Sequence, residues 1–177
     1  MKKVFLLLFF VLFCMSGHSQ IQRQIFGCTI GVSSRNQVRN ILKSKGLKIY
    51  SDTSKSIGIE NVSFGGTEWT RATFFFYKDK VINVTFIYEI TSEKGRDFIY
   101  DSIKEKIKKK YSKYGSIESY DGTVRILDED KQIARWDDEQ TFCLLSKEQY
   151  SQYYSIFLLY EDKELDRKRE QEEENDF

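Results

Sequence analysis

The residues that most enzymes rely on are scarce in this chain and poorly placed for catalysis. Its single histidine, His18, falls within the first nineteen residues, a segment that reads as a leader. Once the leader is gone, no Ser-His or Cys-His nucleophile and no histidine-ligated zinc site can be built. Two cysteines follow, Cys28 in IFGCTIG and Cys143 in TFCLLS, too few for a thiolate metal cage. In an exported chain such a pair is a candidate disulfide. In these apolar, strand-like surroundings each can also serve as a small buried hydrophobe.

What remains is carboxylate chemistry. Asp137-Asp138 and Asp128-Glu129-Asp130 could supply an acid and a base. Both groups sit in polar stretches between strand-like runs, where aspartate is favoured for turns. A calcium loop would also need a central glycine and a distal glutamate, and neither is present in register. No catalytic, cofactor or metal residue is therefore expected. The lysine-rich run KEKIKKKYSK, 104–113, fans around the outer face of a predicted helix. It reads first as a solvated face and second as a neighbour for the tail from Glu161 to Phe177, which holds nine acidic and four basic residues. Arginines interleaved with aromatics, as nucleic-acid binding would want, are missing from it. The sequons at Asn61 and Asn83 read as coincidental.

The leader itself is explicit. Lys2 and Lys3 precede twelve apolar residues from Val4 to Met15, and Gly17 and Ser19 are small residues ahead of a cut before Gln20. Twelve apolar residues are too few for a bilayer, which takes about 20. Phe13 is too bulky for a lipid-attachment signal at Cys14. The expected mature chain, residues 20–177, has 26 basic and 27 acidic residues, so no global field draws it to nucleic acid or an anionic membrane. It contains no proline, and no later stretch is apolar enough to span a membrane.

The strongest structural signal is WTRATFFFYKDKVINVTFIYE, Trp69 to Glu89, a hairpin broken by Lys78-Asp79-Lys80. A three-residue loop would pair Tyr77 with Val81, Phe76 with Ile82 and Phe74 with Val84. That register gathers Ala72, Phe74, Phe76, Ile82, Val84, Phe86 and Tyr88 on one face. Upstream, a lead-in strand is expected within 20–31. A helix over 35–45 follows, capped by Ser34 with Gln37 at capping-box spacing and stopped by Gly46. Short strands are expected over 47–50 and 57–64. A longer helix over 92–114 carries Ile99, Ile103, Ile107, Tyr111 and Tyr114 on one face and ends at Gly115. Strands over 123–127, 133–136, 141–145 and 153–160 complete the domain.

Gly31 to Gly46, GVSSRNQVRNILKSKG, resembles the G-x-[ST]-x-x-x-V helix opening of bacterial envelope proteins of the SmpA/OmlA type. The β-lactamase-inhibitor proteins share that helix-then-strands unit in tandem. The lipid-attachment signal and the Gly-x-Pro after the helix are missing here. The resemblance implies an envelope or secreted interaction module and transfers no binding residues.

Together these signals predict a leader over 1–19, one α+β domain over 20–160 and a charged helix or tail over 161–177. The domain should be an antiparallel sheet of six to eight strands with two helices on one face. Trp69 and Trp136, each ahead of an aromatic hairpin, suggest a duplicated α-β-β-β unit. The second sheet face also carries apolar residues, so Phe75, Tyr77, Tyr153 and Phe157 form a candidate binding surface unless the tail covers it. The expected function is a non-enzymatic, periplasmic or secreted bacterial module that binds an envelope protein or glycan. The alternative is a small carboxylate-dependent glycan hydrolase. Mass spectrometry of the native protein is expected to place its N-terminus at or near Gln20; an intact Met1, or a diacylglycerol on Cys14, would contradict export by this route.

Overall fold

The computed structural model describes residues 21–112, 117–118, 133–150 and 153–175. The leader, the strand expected over 123–127, Tyr114, Gly115 and the Asp128-Glu129-Asp130 cluster lie outside them. The fold is α+β. Two very short strands, β1 (Gln24–Ile25) and β2 (Cys28–Thr29), replace the single lead-in strand expected within 20–31. Phe26 (φ 52°) and Gly27 (φ 88°) form the turn between them. A left-handed phenylalanine is uncommon, and packing fixes this one: its ring meets Phe64 at 5.9 Å and Phe86 at 6.1 Å between centroids.

Helix α1 (Arg35–Ser44) forms where its cap dictates. The Ser34 hydroxyl accepts from Gln37 N–H, and the Gln37 side chain accepts from Ser34 N–H at 2.8 Å. Val38 and Leu42 are its fully buried side chains. Strands β3 (Ile49–Asp52), β4 (Ser56–Phe64), β5 (Thr67–Tyr77) and β6 (Lys80–Ile90) then form a meander. Helix α2 (Glu93–Lys110) follows, capped by Ser92, and buries Tyr100, Ile103 and Ile107; Tyr111, its C-cap, is buried too. A second meander contains β7 (Ile117–Glu118), β8 (Ile133–Asp137), β9 (Thr141–Tyr150) and β10 (Tyr153–Asp162). Helix α3 (Lys163–Asn175) is the last element among the described residues. No helix among the described residues is long and apolar enough to cross a membrane.

All eight strands β3 to β10 belong to one antiparallel sheet, ordered β3-β4-β5-β6-β10-β9-β8-β7. Among the described residues each half is a helix followed by four strands, and the two final strands, β6 and β10, meet at the centre. Phe86 and Leu158 face each other across that joint, 72 residues apart, the same offset that separates Tyr88 from Tyr160. The halves thus repeat with one strand more than the expected unit. The tryptophans do not occupy matching places in the sheet: counted outward from the β6–β10 joint, Trp69 is on the second strand, β5, and Trp136 on the third, β8.

Both α1 and α2 contribute to one apolar cluster on the first face of the sheet, with Phe74, Val84, Phe86, Leu145, Ile156 and Leu158 among its members. The central hairpin differs from expectation in one respect. Its loop has two residues, Lys78 (φ 46°) and Asp79 (φ 62°), the mirror-type turn that matches strand twist. Tyr77 therefore pairs with Lys80 and Phe76 with Val81. A one-residue bulge at Ile82 restores the register, so Phe75 pairs with Asn83 and Phe74 with Val84 as expected. Val81 joins the core in place of Ile82. Alternation also inverts once in β4 and β5: Ile59 pairs with Ala72 and Val62 with Trp69, all buried, with Asn61 at φ 53° between them.

Phe74→Ala is expected to cost about 3–5 kcal/mol, as other fully buried phenylalanines do. Thr73→Ala, one residue along on the opposite face, should stay within about 0.5 kcal/mol. Urea unfolding of the two variants checks the face assignment, and equal losses would contradict it.

Candidate functional site: the second face of the sheet

Three rows of side chains define the middle of the second face. Phe75, Asn83 and Glu161 lie side by side on β5, β6 and β10. Thr73, Thr85 and Leu159 form the next row, and Arg71, Ile87 and Phe157 the third. On β9, Phe142 adjoins Glu161 and Leu144 adjoins Leu159. Tyr50 from β3 lays its ring over Gly58 and meets Thr73 Oγ1 through its hydroxyl at 3.3 Å. Only glycine permits that approach, because a Cβ at position 58 would come within 2.5 Å of the ring.

Helix α3 crosses one end of this face. Asp162 caps it by accepting from Leu165 N–H at 2.9 Å, and the same carboxylate pairs with Arg23. Thirteen residues long, the helix buries none of its side chains. Polar contacts hold it: Tyr77 Oη donates to the Lys168 carbonyl at 3.5 Å, and Lys78 pairs with Glu172. Ile82, displaced from the core by the bulge, is only 2% exposed here. Beside it a groove of about 560 Å³ runs between α3 and the sheet, lined by Phe75, Tyr77, Asn83, Leu159, Arg169 and Glu172, among others.

A polar cluster sits at the base of α3. Glu161, 6% exposed, is hydrogen-bonded to Asp166, with Arg169 close by and Asn83 Nδ2 donating to it at 3.5 Å. Burial, reinforced by the negative charge of Asp166, pushes the Glu161 carboxyl up to about 8. Nothing in the sequence singles out this group. Asn83 and Glu161 are 78 residues apart and meet only across the β6–β10 joint.

The sequence-predicted surface residues are divided between two ends of the face. Phe75, 39% exposed, and Tyr77 flank the groove under α3. Phe157 lies two rows and two strands away from Phe75, which is about 13 Å along the strands and about 10 Å across them. Tyr153, 53% exposed, lies four residues beyond Phe157 at the start of β10. Cys28 and Cys143 are free, buried thiols. Burial raises the Cys28 thiol to about 11 and raises that of Cys143 as well, so neither is poised as a nucleophile.

Of the carboxylates flagged as acid–base candidates, Asp137 and Asp138 lie among the described residues, and both have structural duties. Asp137 pairs with Arg135 and Lys163. Asp138 closes the β8–β9 turn by accepting from Gln140 and Thr141 N–H, and its other oxygen accepts from Ile21 N–H at 2.7 Å. The acidic α3 lies on the opposite face from lysine-rich α2, whose Lys106 reaches the Gly66 carbonyl. Of the two sequons, Asn61 is exposed and Asn83 is half-buried beside α3.

Gly58→Ala is expected to push the Tyr50 ring off the face, because its half-exposed tip is held by one long contact to Thr73, while changing stability by less than about 1 kcal/mol. The tyrosine ring shifts in NMR spectra report the displacement; an unmoved ring would contradict the packing described. No family model matches this chain, and neither a curated protein nor a solved structure does.

Proposed function

We propose that this chain is an exported, non-enzymatic binding module, and that the second face of its sheet takes a protein or glycan of the cell envelope. The observation that supports this reading is the incomplete cover of that face. Helix α3 crosses one end and leaves a groove, while Phe75 and Tyr153 keep 39% and 53% of their surface exposed. Aromatic side chains concentrate interface energy, and a face this apolar normally has a partner. The leader signal and the resemblance of Gly31–Gly46 to envelope modules point the same way.

Glycan hydrolysis would need two carboxyl groups about 5–9.5 Å apart across an accessible cleft. Glu161 and Asp166 bond to each other, Glu161 is buried, and Glu172 is paired with Lys78. Those arrangements favour binding over acid–base work.

Capture from an envelope extract of the source cells tests the reading. Phe75→Ser and Phe157→Ser together are expected to abolish capture. At the half-exposed Phe75 the change should cost no more than about 1 kcal/mol in stability. Retained capture by the double variant, or a melting temperature that collapses along with capture, would remove the support for this surface.

A further inference from the structure

We propose that α3 is a strap released by deprotonation: it closes over the Phe75–Ile82–Leu159 end of the second face while Glu161 keeps its proton, and lifts when that proton leaves. The geometry sets this up. No side chain of α3 is buried, so apolar packing contributes little to holding it down. Its links beyond the hinge include the Tyr77–Lys168 hydrogen bond and the contacts of Glu172 with Lys78 and Tyr77, all at exposed positions where solvent and salt weaken them. The contact at the hinge is different. Glu161, the next-to-last residue of β10 before the helix, is buried beside Asp166 and Arg169 of the first turns of α3.

The groups facing Glu161 can be named element by element. From α3 come Asp166 and Arg169, which also pair with each other. From β6 comes Asn83, uncharged. From β9 comes Phe142, whose ring is covered by the Arg135 guanidinium at 4.3 Å, and Arg135 is itself neutralised by Asp137. One cation therefore serves two carboxylates. With Glu161 protonated, it donates to Asp166 and the single positive charge of Arg169 balances the site. With Glu161 ionised, two negative charges share one positive partner while Glu161 itself is held out of water, and the cheapest relief is for Asp166 to leave with its helix.

The direction of the pH effect follows by linkage. The docked Glu161 carboxyl holds its proton up to about 8, whereas an exposed glutamate releases it near 4.5. Between those values the docked state binds more protons than the undocked one, so docking weakens as pH rises and is weakest above about 8. From pH 6 to pH 8.5 the docking equilibrium should shift toward release on the order of 50-fold. Release would bare Phe75, Ile82 and Leu159 on the face proposed above as the partner surface, and the purpose of the strap rests on that reading.

Amide hydrogen exchange on the mature protein, corrected for the intrinsic pH dependence and referenced to β6 and β10, reads the strap directly. Protection of α3 is expected to fall on the order of 50-fold between pH 6 and 8.5, and Glu161→Gln should make it nearly flat. A change below about 3-fold in the wild type, or an unaltered pH dependence in E161Q, would overturn the proposal. Should E161Q fail to fold, carbon-13 NMR titration of the wild-type Glu161 carboxyl decides instead. A midpoint near 8 supports the strap, and one in the ordinary glutamate range sinks it. Because exchange and titration need no partner, their failure is distinguishable from a failure of capture.

Discussion

The antiparallel joint between β6 and β10 is the contact on which the rest of the structure depends. It runs from Tyr154 opposite Ile90 to Glu161 opposite Asn83 without a break in register. Remove it and the chain becomes two four-strand meanders, each with a long apolar edge strand open to solvent. The joint also sets both faces at once. On the first, Phe86 stacks on Phe64 at 4.4 Å and contacts Trp69 at 5.4 Å, while its cross-strand neighbour Leu158 extends the same core. On the second, it brings Asn83 beside Glu161 and thereby builds the seat on which α3 rests.

Local chemistry made much of this fold legible. Ser34 and Gln37 announce α1 because a capping box satisfies two backbone donors at a fixed spacing. The alternation of Phe74 with Val84 and Phe86 identifies the buried face of the hairpin because strand side chains repeat every second residue. The turn was harder to read. Aspartate is at home at a positive φ but lysine is not, and a plain two-residue loop would split the apolar set between two faces, so the residues favour a longer loop over a tight turn followed by a bulge. Asn61 hides a comparable irregularity: a left-handed residue inside a strand flips the alternation, and nothing in the surrounding residue types signals it.

The second face was legible only in part, for a different reason. Phe75, Tyr77, Tyr153 and Phe157 advertise apolar surface, but their grouping depends on which strands adjoin, a non-local fact. Ile82 looked like core by strand parity and became cover for α3 through one inserted residue. Glu161 reads as the start of a charged tail, yet two strands and a helix enclose it. Polarity patterns identify a helix or a strand. They do not reveal that residues 78 apart will share a buried polar cluster.

The separation of Phe86 from Leu158 has a consequence for how the chain reaches this structure. From β3 to β6 and from β8 to β10, neighbouring strands are joined by connections of two or three residues, and the loop-closure cost of pairing them is small. The joint closes a far larger loop and can form only after β10 exists, so it belongs to the slow, high-contact-order part of folding. Until then β6, with the sequence KVINVTFIYEI, is an unpaired edge rich in β-branched and aromatic residues. A chain that crosses a membrane before it folds would carry that edge bare from the moment β6 forms until its last strand arrives, and would be most exposed to self-association during that interval.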